Sequence, residues 1–148
     1  MILMRLEVKG WNQLSRKEIN DIFSLRSEVF VIEQECIYQD VDGKDEKADH
    51  VLLFVNNELV GYTRVFNEKI YFKEASFGRA VVKKNFRGEG YGNLLVKKSL
   101  EHLKTNKQSP IKISAQSHLK EFYSSHGFVV KGEEYMEDGI PHSAMYYK

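Results

Sequence analysis

Cysteine occurs once, at Cys36, so no disulfide can close within the chain. Proline occurs twice, at Pro110 and Pro141, and neither sits in a Pro/Ser-rich tract that would mark a linker. No apolar run approaches the length of a membrane-spanning helix, and the opening Met-Ile-Leu-Met-Arg lacks the order of a signal peptide. An excess of one charge is missing too. The 22 Lys and Arg against 21 Asp and Glu give a net +1, with the bases scattered, which argues against nucleic acid or an acidic membrane as partner. The histidines form no HExxH or close pair, and the acidic stretch Asp40–His50 lacks the register and closing glutamate of an EF-hand, so no metal is expected. These absences leave a cytoplasmic protein, read as one domain over residues 1–148, with 42% apolar content to build one core.

What is present concentrates at residues 87–92, Arg-Gly-Glu-Gly-Tyr-Gly, followed at once by a helical pattern. Glycines at 88, 90 and 92 bare the backbone, whose N–H groups can turn inward toward an anion at a helix N-terminus. The spacing G-x-G-x-G is not the G-x-G-x-x-G of a dinucleotide fold, because Asn93 stands where the last glycine belongs. A Gly-Lys-Ser/Thr ending for a P-loop is absent as well.

The remaining pattern is helix, strands, helix, strand, helix, strands. Ser15 and Glu18 make a capping box, and Ile19, Ile22, Phe23, Arg26, Val29 and Phe30 recur at helical spacing. Arg26 on that apolar stripe is either an internal ion-pair partner or a group aimed into a site. Strands are expected at 50–56 and 58–66 around an Asn56-Asn57 turn, at 69–72, at 77–82, at 111–115, at 128–131 and at 144–147. Helices are expected after residue 90 and over 118–126, the second stopped by Gly127, with 137–142 a turn. This order predicts an α/β fold with a mixed sheet covered by helices.

Three further features point the same way. The glycine loop fits R/Q-x-x-G-x-G/A and follows the strand 79–82. Glu121-Phe122-Tyr123 precedes Gly127-Phe128. Residues 25–45, 115–119 and 137–142 carry Leu-Arg…Val-Phe-Val-Ile-Glu-Gln, Tyr-Gln-Asp-Val-Asp-Gly-Lys-Asp, Ala-Gln-Ser-His-Leu and Glu-Asp-Gly-Ile-Pro-His. In these motifs, and in their order, the chain resembles the GNAT acetyltransferase superfamily and, more narrowly, its ElaA-like branch. The resemblance implies a GNAT-like α+β fold, with a mixed, mostly antiparallel central sheet and helices on both faces. It implies an acetyl-CoA-dependent N-acetyltransferase acting on a primary amine of a small molecule or peptide. Ala80, Val81 and Val82 would pair with the pantetheine amides as an added strand does. Arg87, Gly88, Glu89, Gly90, Tyr91 and Gly92 would hold the pyrophosphate.

Amine acetylation needs a proton acceptor for the amine and a proton donor for the thiolate. Tyr123 aligns with the tyrosine that related enzymes place near the CoA sulfur, although its helical spacing with Leu119 and Phe122 also suits a core residue. Glu33 and His118 are candidates for the base, beside Asp40 and Glu133. Arg26, Glu33 and Arg79 are candidates for binding the acceptor, with Arg64 beside them. Cys36 is expected to be inert, which favours direct attack over a covalent enzyme intermediate. A homodimer fits such a domain, with Tyr146 and Tyr147 as contact candidates. The alternative is a GNAT-like module that binds acyl-CoA with little turnover.

Overall fold

The computed structural model describes residues 1–148. Two antiparallel sheets make its frame. The first runs β1 (Met4–Gly10), β2 (Asp49–Val55), β3 (Glu58–Phe66) and β4 (Ser76–Val82), in that spatial order. The second places β8 (Ile140–Tyr147) between β5 (Ile111–Gln116) and β6 (Val129–Val130), with β7 (Tyr135–Glu137) also paired to β8. The sheets join only where Ala75 meets Ile111 in a parallel bridge, with the Lys112 N–H donating to the Ala75 carbonyl at 2.8 Å. Past that point β4 and β5 part, and the edge of β4 that faces β5 is left without a partner strand.

Helices α1 (Arg16–Arg26) and α2 (Tyr91–Thr105) cover opposite faces of the first sheet. Strand β2 shows why. Its unbroken run Val51-Leu-Leu-Phe-Val55 is buried throughout, as a strand covered on both faces requires. Val51, Leu53 and Val55 join the core with Leu95, Val96 and Leu103 of α2. Leu52 and Phe54 join Ile22, Leu25 and Val29 on the other side. Gly61 permits α2 to sit close, since a Cβ there would lie 3.0 Å from Leu95 Cδ1, and Ser99 of α2 bonds Thr63 at 2.6 Å.

The capping box forms as expected, with Ser15 Oγ accepting from the Glu18 N–H and Glu18 accepting from the Ser15 N–H. Asn56 and Asn57 take positive φ, 49° and 66°, as a tight hairpin turn demands. One strand went unread, and three expectations need correction. Strand β1 carries a charge at Arg5, Glu7 and Lys9, and its weak pattern hid an edge strand. Residues 69–72 form a turn, with Lys69 at φ 67° and Tyr71 stacked on Phe66. The helix expected over 118–126 is shorter: a tight turn at Ser117–Leu119 leads into α3 (Lys120–Ser124). The 137–142 stretch turns only at Asp138-Gly139, and Ile140, Pro141 and His142 already belong to β8.

Candidate active site

Helix α1 does not end where its hydrogen bonds change. Ser27–Glu33 continues it as a wider, π-helical segment, a form often found at functional sites. This segment brings Phe30 and the adjoining Gln34 to the mouth between the two sheets. Across the gap, Gln34 and Gln116 at the end of β5 exchange amide hydrogen bonds of 3.4 and 3.3 Å.

Two cavities meet at that pair. One, of about 520 Å³, runs between β4 and α3 toward the glycine loop. The other opens on the far side of the gap, toward β5, β7 and β8. Phe30, Gln34, Ala80, Gln116, Leu119 and Tyr123 line both.

The first cavity gathers Ala80, Val81, Val82, Arg87, Gly88, Gly90, Tyr91 and Gly92 along its wall. Glu89 belongs to the same exposed loop. Strand β4 reaches the cavity through a bulge: its register against β3 slips between Tyr62 and Arg64, and Arg79 takes φ 49°. A left-handed residue with a side chain costs about 1–2 kcal/mol and re-aims the strand after it. Gly88 and Gly90 lie at φ 86° and 81°, and a Cβ on either would meet nothing within 4 Å, so both face open space.

Arg87 is not a free cation. Its fork grips Glu33 through contacts of 2.7 and 3.0 Å, and its Nε donates to the Val82 carbonyl at 2.9 Å. Arg87 holds the Glu33 carboxyl below the usual carboxylate range, against the opposing effect of partial burial. Glu33 therefore ties the π-helical segment to the glycine loop. A carboxylate so held is a poor proton acceptor, and it lines the first cavity alone. His118 is exposed on the same side. Neither expected base faces the second cavity.

Tyr123 lies at the junction, almost wholly buried against Phe77, Phe122 and Phe128. Burial alone pushes its phenol up to about 12.

The arginines expected to bind an acceptor hold the Asp40–Asp45 loop instead. Arg26 is fully buried, with Nε 2.8 Å from Asp40 Oδ2, Nη1 2.6 Å from Asp45 Oδ1 and Nη2 donating to the Asp40 carbonyl. It lines neither cavity. Arg64 shares Asp45 Oδ1 at 3.1 Å and bonds both oxygens of Asp42 at 2.8 and 2.9 Å. Arg79 Nε lies 2.8 Å from Asp40 Oδ1, off the line of its N–H, and its Nη2 bonds the Asp40 carbonyl at 3.1 Å. Arg64 and Arg79 do border the second cavity, but as neutralised pairs. Sequence reasoning weighed this pairing without finding the partners, which lie 14 to 39 positions away.

The network predicts an acid limb in stability. Burial would raise the Asp42 carboxyl, but the hydrogen bonds and charge of Arg64, helped by the Lys44 N–H and Arg79, hold it at about 2, below its ordinary 3.8. A lowered carboxylate adds stability above its unfolded value and loses it as pH falls from about 4 toward 2, here by at most about 2 kcal/mol. Urea midpoints at pH 5 and pH 2.5 should lie closer together in Asp42→Asn than in the parent protein.

A bulged strand with a free edge, splayed sheets and a left-handed glycine loop thus frame the site. A model of the acetyltransferase (GNAT) domain matches residues 12–148, and the chain belongs to that family. Protein ElaA of Escherichia coli (strain K12) is 40% identical over 137 residues, or 90% of each chain. A UPF0039 protein of Synechocystis is 36% identical over 140 residues, covering 93% of this chain and 91% of that one. Among solved structures, Escherichia coli ElaA superposes with a TM-score of 0.91 at 36% identity, over 99% of this chain and 100% of its own. An acyl-CoA N-acyltransferase from Pseudomonas aeruginosa gives 0.93 at 34% identity, with the same coverage. No helix is long and apolar enough to cross a membrane.

Proposed function

We propose that the protein transfers the acetyl group of acetyl-CoA to a primary amine by direct attack, with donor and acceptor entering from opposite sides of the gap. The observation that carries this reading is the junction of two cavities at Ala80, Gln34, Gln116 and Tyr123. Membership of an acetyltransferase family supports the acyl-CoA donor. The first cavity fits it: Ala80–Val82 lie on a strand edge without a partner strand, where pantetheine amides can pair beside the Val82 carbonyl that Arg87 occupies, and the N–H groups of residues 88–92 offer a cradle for the pyrophosphate. Arg87 acts through Glu33 as a strut for that loop.

Holding both reactants at one junction supplies much of the rate through proximity. Tyr123, kept protonated by burial, donates to the departing thiolate. Cys36 gives its Sγ–H to the Asp138 carbonyl at 3.1 Å, which suits a bystander better than a nucleophile.

The test is thiol release from acetyl-CoA by the purified protein with a panel of alkyl amines, polyamines, amino acids and peptides. Release with at least one acceptor supports the reading. Tight acetyl-CoA binding without release for any acceptor would leave a binding module, and no binding would end the donor proposal. Gly90→Leu should weaken acetyl-CoA binding by at least about tenfold, since its side chain would enter the cradle, while left-handed strain lowers stability by only about 1–2 kcal/mol. Calorimetric titration and a thermal melt separate the two effects.

A further inference from the structure

We infer that His142 is the proton acceptor for the amine, and that the second cavity receives its acceptor as an ammonium ion held between His142 and Glu137. This rests on the acetyltransferase reading above.

Three constraints fix His142. It is only 7% exposed and lines the second cavity. In β8 it stands opposite Gln116 of β5 on one side and Tyr135 of β7 on the other. Residues directly opposite in antiparallel strands share a face, so the imidazole stands beside the amide that borders both cavities. Its Nδ1 lies 2.7 Å from the Ile140 carbonyl. A carbonyl only accepts, so Nδ1 carries the proton in the neutral ring and the lone pair is on Nε2. Nε2 in turn lies 3.3 Å from Glu137 Oε2. Glu137 is steadied by Ser114, whose Oγ donates to its Oε1 at 3.3 Å. This is a base with a fixed tautomer and a carboxylate beside its lone pair.

The other charged and titratable groups around the cavity do not compete. Arg64 and Arg79 are committed to the Asp40–Asp45 loop, and the Cys36 thiol to the Asp138 carbonyl. Burial raises the Tyr38 and Tyr123 phenols, and Tyr71 stacks on Phe66. Tyr135 bonds Ser114, and the Asp138 side chain belongs to the exposed turn. Glu137 and Asp138 are the carboxylates at this cavity, and Glu137 is the one placed beside His142 Nε2, where an ammonium group can touch both.

In the step, His142 Nε2 takes one proton from the ammonium nitrogen. The freed lone pair forms the N–C bond, and the electron pair of the C–S bond leaves on sulfur, which takes the Tyr123 proton. The second nitrogen proton, lost as the amide forms, restores the Tyr123 hydroxyl. The imidazolium proton passes to solvent, so each turnover releases one proton, one thiol and one amide.

His142→Asn keeps a donor for the Ile140 carbonyl and removes Nε2. The test compares butylamine, protonated at neutral pH, with methoxyamine, which is not. The variant should lose on the order of 100-fold in kcat/KM with butylamine. With methoxyamine it should stay within about threefold of the parent, because that nitrogen needs no deprotonation before attack. Acetyl-CoA affinity should not change. Glu137→Gln, by removing the negative charge that would hold the ammonium, should raise KM for butylamine more than KM for methoxyamine. An equal fall with both amines would show a structural role and overturn the assignment, as would no fall with either. Parent protein that releases thiol with another amine of the panel but with neither of these would overturn the ammonium assignment, and one that binds acetyl-CoA but releases no thiol with any amine would overturn the transferase reading itself.

Discussion

Arg26→Leu is expected to lower stability by about 3–5 kcal/mol, a Tm fall on the order of 10 °C for a chain of this length. The cost comes from what the leucine leaves behind. Asp40 and Asp45 are buried, and Asp45 Oδ2 already lacks a hydrogen-bond partner. Without Arg26, Asp45 keeps only its share of Arg64, and Asp40 keeps Arg79 and the Tyr38 hydroxyl. Buried carboxylates stripped of a cation are far more costly than a buried pair is stabilising. Adding Asp40→Asn and Asp45→Asn should therefore recover part of the loss. A single variant melting within about 2 °C of the parent would show that Arg26 is dispensable to the fold. Because Asp40 also holds Arg79 at the bulge of β4, the double replacement should restore stability more fully than turnover.

Tyr123→Phe should reduce kcat by on the order of 100-fold and leave acetyl-CoA affinity unchanged. Its ring is packed by Phe77, Phe122 and Phe128, and phenylalanine preserves that packing. The phenol is shifted by burial alone, with no charged or hydrogen-bonding neighbour adding to it. The thermal midpoint should consequently barely move. With the phenol pushed up to about 12, it stays a proton donor through the whole working range and contributes no basic limb below about pH 11. Steady-state kinetics with any accepted amine, beside a direct binding measurement, check both halves. Unchanged turnover would remove Tyr123 from the chemistry and leave it a core residue.

The parts of the fold written locally were legible in the sequence. The capping box, the Asn56-Asn57 turn, the run Val51–Val55 and the glycine loop each depend on neighbours within a few positions, and each stands where its pattern placed it. Long-range matters were less legible. The Arg26 stripe looks like an ordinary amphipathic helix because periodicity does not register that Ser27–Glu33 widens its turns. At the end of that widened segment Glu33 pairs with Arg87, 54 positions away. His142 was hidden for another reason. Proline beside Asp-Gly reads as a turn, yet Pro141 sits at the start of β8, where the missing N–H is tolerated. Tyr146 and Tyr147, expected as exposed contacts, are half-buried and lie under Lys112, Lys131 and Lys104.

The single bridge between Ala75 and Ile111 has one more effect. An unpaired strand edge on a protein's rim invites a neighbouring molecule to add its own strand and begin an aggregate. Here the unsatisfied edge of β4 is recessed within a cleft, walled by β5 and by the π-helical segment. A passing polypeptide would have to thread that cleft end-on, whereas a slender diamide arm has only to lie down in it. On the proposed reading, the edge that would bind the donor is the one that strand addition by another chain would find hardest to reach.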